Sequence, residues 1–327
     1  MMVRRSYAAA LVDTLSEELQ ADPAISVVGS YVLGLGPARL EFDRIRKAHA
    51  DRVVDPPSAE AGLVMLGVGA ALAGGRPFIS LGTAAFAYVG FSALVNEAAN
   101  VHYQSGGLSR CPVVFHMLHG VRGGGAPQHS HSPQAQFWNA PGLEIVLPAS
   151  PRDVRGLLRT ALRSPNPTLV LDHAKLLGME GEVPDDPGFA LPFGQGEIKR
   201  AGRDVTIVGT SWTVGLALGA ADALAQEGIE AEVFDPRTLV PFDEDGLFAS
   251  VERTGRLVVV DECVLPCSVA SEISARVAQH RFDALKGPIV RVGRPAAPAP
   301  YSPRLESQII PSVAQVVDAA RALVRRT

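Results

Sequence analysis

Cysteine is scarce in this chain: three residues, Cys111, Cys263 and Cys267, among 327. Three thiols cannot close a complete set of disulfides, and the spacing Cys263-x-x-x-Cys267 matches neither a zinc pair nor a redox pair. A reducing compartment, and hence a cytoplasmic location, is the expectation. Aromatic residues are few, at 6%, and positive charge is not in excess: 30 Lys and Arg stand against 34 Asp and Glu, a formal net charge of -4. Without a basic field, nucleic acid is not an expected partner. Long apolar runs are missing too. The strongest, residues 62–73, is too short to cross a bilayer and is rich in Gly and Ala, so it reads as a buried helix. Near the start, Arg4 and Arg5 are followed by Asp13, Glu17 and Glu18, which interrupt the apolar core that a secretion signal needs. Neither export nor a membrane is expected.

Hydrophobic residues make up 47% of the chain, enough for two packed domains of metabolic-enzyme type. Ala8, Leu11, Val12, Leu15 and Leu19 recur at helical spacing, and an apolar run at 25–29 suits a short strand. The alternation continues with a helix over 58–73, a strand at 77–81, a helix over 91–103, and strands at 112–115, 144–147 and 168–171. Ser150-Pro151-Arg152-Asp153 opens a helix, with a capping serine, a proline in the first turn and an acid three residues on. Strands that are apolar throughout and alternate with helices imply a mostly parallel sheet covered on both faces, an α/β architecture. Between 178 and 196 prolines, glycines and acids crowd together as in a linker. The expected domains are therefore 1–190 and 191–327, the second a smaller α/β unit with strands at 205–209, 231–235, 256–260 and 289–292.

Several residues carry chemistry. Glu60 stands at the start of the helix over 58–73, where unpaired amides favour a carboxylate by ~0.3–1 kcal/mol, and that alone explains most such glutamates. The very small residues behind it, Gly62, Gly67, Gly69, Ala70 and Ala71, allow a second reading, an acid seated in a dry crevice that raises its pKa. Gly67-Val68-Gly69-Ala70-Ala71-Leu72 lacks the third glycine of a dinucleotide fingerprint and falls inside a helix, so it reads as close helix packing. Phe86 follows a strand and is either core or a platform for a planar ligand. The segment from Gly120 through Gly123-Gly124-Gly125 to His129 and His131 is a flexible loop with two histidines. No third ligand is near them, so metal is not expected. An imidazole titrating near neutrality can move protons at a reacting carbonyl, and His129 is the better candidate.

In order along almost the whole chain, these stretches resemble one family: Ser58 through Gly62, Val68-Gly69-Ala70-Ala71-Leu72-Ala73-Gly74, Tyr103-Gln104-Ser105-Gly106-Gly107, Gln128-His129-Ser130, Pro141-Gly142-Leu143, Arg237-Thr238-Leu239, Val260-Asp261-Glu262 and Pro300-Tyr301-Ser302-Pro303. The chain is similar to the beta subunits of thiamine-diphosphate-dependent 2-oxo acid dehydrogenases, as in the pyruvate, branched-chain and acetoin systems, within the transketolase superfamily. The resemblance implies a pyrimidine-binding domain followed by a transketolase C-terminal-like domain. It implies that Glu60 activates the aminopyrimidine of thiamine diphosphate, that Phe86 lies against that ring, and that His129 faces the reacting acyl group. It also implies an alpha-like partner that holds the diphosphate and magnesium, an alpha2-beta2 heterotetramer, and docking of a lipoyl acyltransferase.

The departures from the family pattern are informative. Gly29-Ser30-Tyr31 stands where an acidic segment is usual. His116-Met117-Leu118-His119 replaces a segment with arginine and Gly-Pro-Asn, and Arg122 enters the loop. Ser164 stands where the potassium site usually has an acid, so potassium is not expected. His116, His119, Arg122 and His131 thereby mark the expected substrate side, with Arg122 suited to an anionic group. The leading expectation is decarboxylation of a 2-oxo acid with transfer of the acyl or hydroxyalkyl group. The alternatives are a two-subunit transketolase or acyloin-forming enzyme without a lipoyl acceptor, and a non-catalytic scaffold subunit.

Overall fold

The computed structural model describes residues 1–29 and 37–326. It separates into two compact units, one made of Met1–His119 and Gln128–Phe193, the other of Gly120–Pro127 and Gly194–Thr327. The first unit contains the strands β1 (Met2–Ser6), β2 (Ile25–Val28), β3 (Val53–Val54), β4 (Arg76–Thr83), β5 (Val114–His119), β6 (Glu144–Val146), β7 (Thr168–His173) and β8 (Glu180–Pro184). Its helices include α1 (Tyr7–Ala21), α2 (Arg39–Ala48), α3 (Glu60–Leu72), α4 (Val101–Gln104), α5 (Gln134–Trp138) and α6 (Pro151–Arg163).

Among the first unit's own strands the main sheet runs in the order β6-β7-β5-β4-β2-β3, and each pairing between them is parallel. Its central strands are buried on both faces because helices cover both. On one face Tyr7 of α1 reaches Asp172 of β7. On the other, Gly67 of α3 presses on the sheet so closely that an added Cβ would lie 2.8 Å from Ile79 Cγ1 and 3.2 Å from a Val113 methyl. The run around Gly67 is thus a packing device, as its position inside a helix implies. Gly67→Ala is expected to cost about 1–3 kcal/mol through overpacking, read as a lower denaturation midpoint; an unchanged midpoint would show slack between α3 and the sheet. The cap of α6 also follows the sequence, since the Ser150 hydroxyl accepts from Asp153 N–H at 3.1 Å.

Three expectations need correction. Residues 62–73 do not form a fully buried helix: α3 buries Leu63, Val64, Gly67, Val68 and Ala71 while Met65, Leu66 and Leu72 are 47%, 48% and 52% exposed. The segment after Gly178 is not a plain linker, because β8 pairs antiparallel with β1 along its whole length. Just beyond it, Arg159 of α6 donates to the Phe189 carbonyl at 2.5 Å and Thr160 to that of Leu191 at 2.7 Å. Polar composition concealed this, since the fixing bonds go to backbone carbonyls that any sequence supplies. Finally, the expected helix over 91–103 is a π-helical turn, Ala93–Ala98, followed by the short α4.

The second unit holds β9 (Glu197–Arg200), β10 (Val205–Gly209), β11 (Ala231–Asp235), β12 (Thr238–Val240), β13 (Leu257–Val264) and β14 (Val290–Arg294). Its helices are α7 (Thr213–Ala225), α8 (Glu244–Thr254), α9 (Val269–His280), α10 (Pro303–Ile309) and α11 (Val313–Val324). The sheet order is β14-β13-β10-β11-β9, with β9 antiparallel at its edge. Val205, Ile207, Val258 and Val260 meet Ala217, Ala221 and Leu224 of α7 and Val316, Ala320 and Leu323 of α11. On the opposite face Thr206 shares hydrogen bonds with Ser250 and Thr254 of α8. Both units are therefore helix-covered, mostly parallel sheets.

Candidate active site

In open parallel sheets ligands gather beyond the carboxyl ends of the strands, and the candidate residues of the first unit collect there. Glu60 is the first residue of α3 and is half-buried. Its neighbour is Gly90, where a Cβ would lie 2.9 Å from Val64 and 3.3 Å from the Glu60 carbonyl oxygen, so the chain after β4 can lie against the first turn of α3 only without a side chain at that point. Phe86 belongs to the 3-10 turn Ala84–Tyr88 that continues β4. His129 closes the turn Pro127–His129, and its ring meets the Phe86 ring edge-on with centroids 5.3 Å apart. Tyr88 and His131 form a second edge-on pair, also at 5.3 Å.

The histidines expected on the substrate side divide between two faces. His116 and His119 are not loop residues, because β5 continues through His119, and period-2 alternation sends them to opposite faces. His116 is fully buried on the α1 side, with Nε2 2.8 Å from Asp172 Oδ2, while Tyr7 donates to the other carboxylate oxygen. Burial and the Asp172 charge push the Tyr7 phenol well above its usual range. This triad ties β5, β7 and α1 together. His119 lies on the opposite face, beside His173 of β7 in direct register; the rings meet edge-on with centroids 4.9 Å apart. His173 Nδ1 accepts the Lys175 amide at 3.1 Å. Burial, with His173 adding to it, lowers the His119 pKa well below the ordinary value, so His119 is neutral at physiological pH.

Arg122 sits on Gly120–Pro127, a segment grouped with the second unit. Ser164 donates to Glu144 at 2.7 Å. Ser30 and Tyr31 lie outside the described residues. Among the described residues no group of three or more His, Cys, Asp and Glu side chains is arranged to hold a metal ion. Reading the sequence alone passed over Tyr88, Asp172 and His173; the available signal was the parallel register of β5 with β7, which sets His119 opposite His173.

Residues 4–179 match the pyrimidine binding domain of transketolase and residues 194–316 match the transketolase C-terminal domain. The chain belongs to the transketolase family. Within it the chain is 41% identical, over 98% of its own length and 98% of the relative's, to the beta subunit of an acetoin:2,6-dichlorophenolindophenol oxidoreductase from Cupriavidus necator. It is 38% identical to the beta subunit of the pyruvate dehydrogenase E1 component from Rhizobium meliloti, over 96% of this chain and 68% of that one. Among solved structures, a split-gene transketolase described as an inactive beta4 tetramer superposes with a TM-score of 0.79 at 24% identity, covering 98% of both chains. That likeness supports the transketolase fold.

The residues present fit the aminopyrimidine end of the thiamine diphosphate used across this family. A carboxylate able to hydrogen-bond a ring nitrogen heads α3, and a flat apolar ring follows β4 with the His129 ring at its edge.

Proposed function

We propose that this chain is the beta-like subunit of a thiamine-diphosphate-dependent enzyme that, with an alpha-like partner, decarboxylates a 2-oxo acid and passes on the acyl or hydroxyalkyl group. The observation that carries the reading is that Glu60, Phe86 and His129, which come from three separate stretches of sequence, stand at the carboxyl edge of one sheet. Bound, the coenzyme supplies a nucleophilic carbon that adds to a carbonyl and holds the electron pair left when the adjacent bond breaks. Glu60 hydrogen-bonds the pyrimidine and shifts its proton. Phe86 excludes water from one ring face, and His129 holds or moves a proton at the reacting oxygen or carbon. His119, neutral and buried, and His131 line the substrate side, with Arg122 binding an anionic substrate group. His116 sits on the far face, held by Asp172, and acts there through packing rather than by contact with substrate.

An alpha-like partner that holds the diphosphate and magnesium completes the reading, in an alpha2-beta2 assembly in the cytoplasm that a lipoyl acyltransferase can dock. Its support is the set of apolar side chains that the first unit exposes: Met65, Leu66 and Leu72 of α3, with Val89 at 65%, Tyr103 at 88% and Leu108 at 92% exposure. No helix among the described residues is long and apolar enough to cross a membrane.

A second reading, cleavage of an acyloin rather than a 2-oxo acid, is favoured by the 41% identity to the acetoin enzyme's beta subunit. One experiment separates them: purification with the neighbouring alpha-like chain, then assay of 2-oxo acids and acyloins with an artificial electron acceptor, with and without added aldehydes. Release of carbon dioxide from a 2-oxo acid supports the first reading, aldehyde release from an acyloin the second, and turnover of neither excludes both. In that assay Arg122→Ala is expected to raise KM for the anionic substrate by roughly 10-fold, the worth of one charge-assisted hydrogen bond. An unchanged KM removes Arg122 from the substrate side.

A further inference from the structure

The mechanism above leaves unused the most heavily charged interior of the second unit. Asp261 and Glu262 at the end of β13, Arg294 at the end of β14 and Glu306 of α10 are all buried, at 2%, 1%, 5% and 3% exposure. Val264 and Arg294 are register partners, so β13 and β14 end side by side. Isolated carboxylates do not stay charged in such a place without hydrogen bonds or a countercharge. Two of these acids spend their bonds in one way. Glu262 Oε1 accepts the backbone N–H of Val121, and Glu306 Oε2 accepts that of Gly124 at 2.9 Å. Arg294 is the shared cation: burial lowers its pKa, while the charges of Glu262 and Glu306 act in the opposite direction.

The two amides belong to the glycine-rich segment Gly120–Pro127, the stretch of chain that leaves the first unit and groups with the second. Its backbone has φ near +87° at Gly120, +83° at Gly123 and +81° at Gly124, and +53° at Ala126. Glycine adopts positive φ readily, and the amides of Val121 and Gly124 in this segment are met by protein carboxylates. Between Gly124 and His129 the chain contains only Gly125-Ala126-Pro127-Gln128. Unclamped, so glycine-rich a segment samples many conformations.

We propose that Glu262 and Glu306 are positioning residues: a two-carboxylate clasp, with Arg294 as its common counterion, that holds the glycine loop by its amides and so fixes where His129 stands. The proposal deepens the functional reading and rests on it for the role of His129, while the clasp itself can be tested without turnover.

The test uses the full chain purified with its partner. Hydrogen exchange in the peptide spanning residues 120–127 is expected to show two amides slowed on the order of 100-fold below their intrinsic rates. Glu306→Ala is expected to release one of them, and to raise trypsin cleavage after Arg122 by roughly 10-fold because the loop then opens more often. It should lower kcat on the order of 10-fold, as expected for a misplaced catalytic group, and raise KM for an anionic substrate, because Arg122 lies on the same loop. Glu306→Gln, which keeps an oxygen to accept the Gly124 amide, should restore protection and most of kcat. If the alanine variant does not fold, wild-type exchange and the glutamine variant still decide. Amides exchanging at intrinsic rates in the wild type, trypsin resistance unchanged in Glu306→Ala, or loosened protection with kcat unaltered would each overturn the proposal. Failure of the functional reading would leave the exchange and proteolysis results as they are.

Discussion

Glu60→Gln is expected to lower kcat by roughly 10²- to 10⁴-fold, the range that a positioned acid or base contributes, in the chain assembled with its partner and saturated with thiamine diphosphate. Glutamine keeps the size and a hydrogen-bonding oxygen but cannot shuttle a proton to a ring nitrogen. Affinity for the coenzyme, measured by calorimetry, should fall much less than turnover, because Phe86 is untouched. The helix start tolerates the change, since a first-turn carboxylate is worth only ~0.3–1 kcal/mol to α3, so the melting temperature is an internal control. A scaffold subunit predicts a different pattern, in which the substitution changes neither stability nor the activity of the assembly. Retention of more than half the wild-type kcat would remove Glu60 from the chemistry.

The parts of this molecule that could be read from sequence are those written in local pattern. The α/β alternation, the cap at Ser150 and the packing role of Gly67 depend on residues a few positions apart or on periodicity, and the structure contains them. Features set by long-range pairing were hidden. The strand Glu180–Pro184 has a single β-branched residue, Val183, to announce it, and pairs along its length with β1 at the other end of the unit. The contacts from Val121 to Glu262 and from Gly124 to Glu306 span sequence separations of 141 and 182 residues, and composition carries no trace of them. At the candidate site, Glu60, Phe86 and His129 were visible as residue types in family-like stretches. The division of His116 from His119 was not, because it follows from extending β5 to residue 119, two turns of the pleat beyond the apolar run.

His129 carries the second large expectation. Its ring meets that of Phe86 edge-on, and the residue after it, Ser130, is 2% exposed. His129→Ala is expected to lower kcat by roughly 10²-fold, at the lower end of the acid–base range, with coenzyme binding unchanged because Glu60 and Phe86 remain. His129→Asn separates orientation from proton transfer, since asparagine can donate a hydrogen bond yet does not titrate. If His129 only orients the substrate, asparagine should recover most of the rate; if it moves a proton, asparagine should resemble alanine, and the pH profile should lose one limb. Combining His129→Ala with Glu60→Gln sharpens the outcome. If both residues serve the same limiting step as a unit, the double variant is barely slower than the worse single one, whereas independent steps give nearly multiplicative losses. A His129→Ala enzyme with unaltered kcat and pH profile would return this histidine to an ordinary loop residue, and the clasp on the preceding glycine segment would then have nothing catalytic to position.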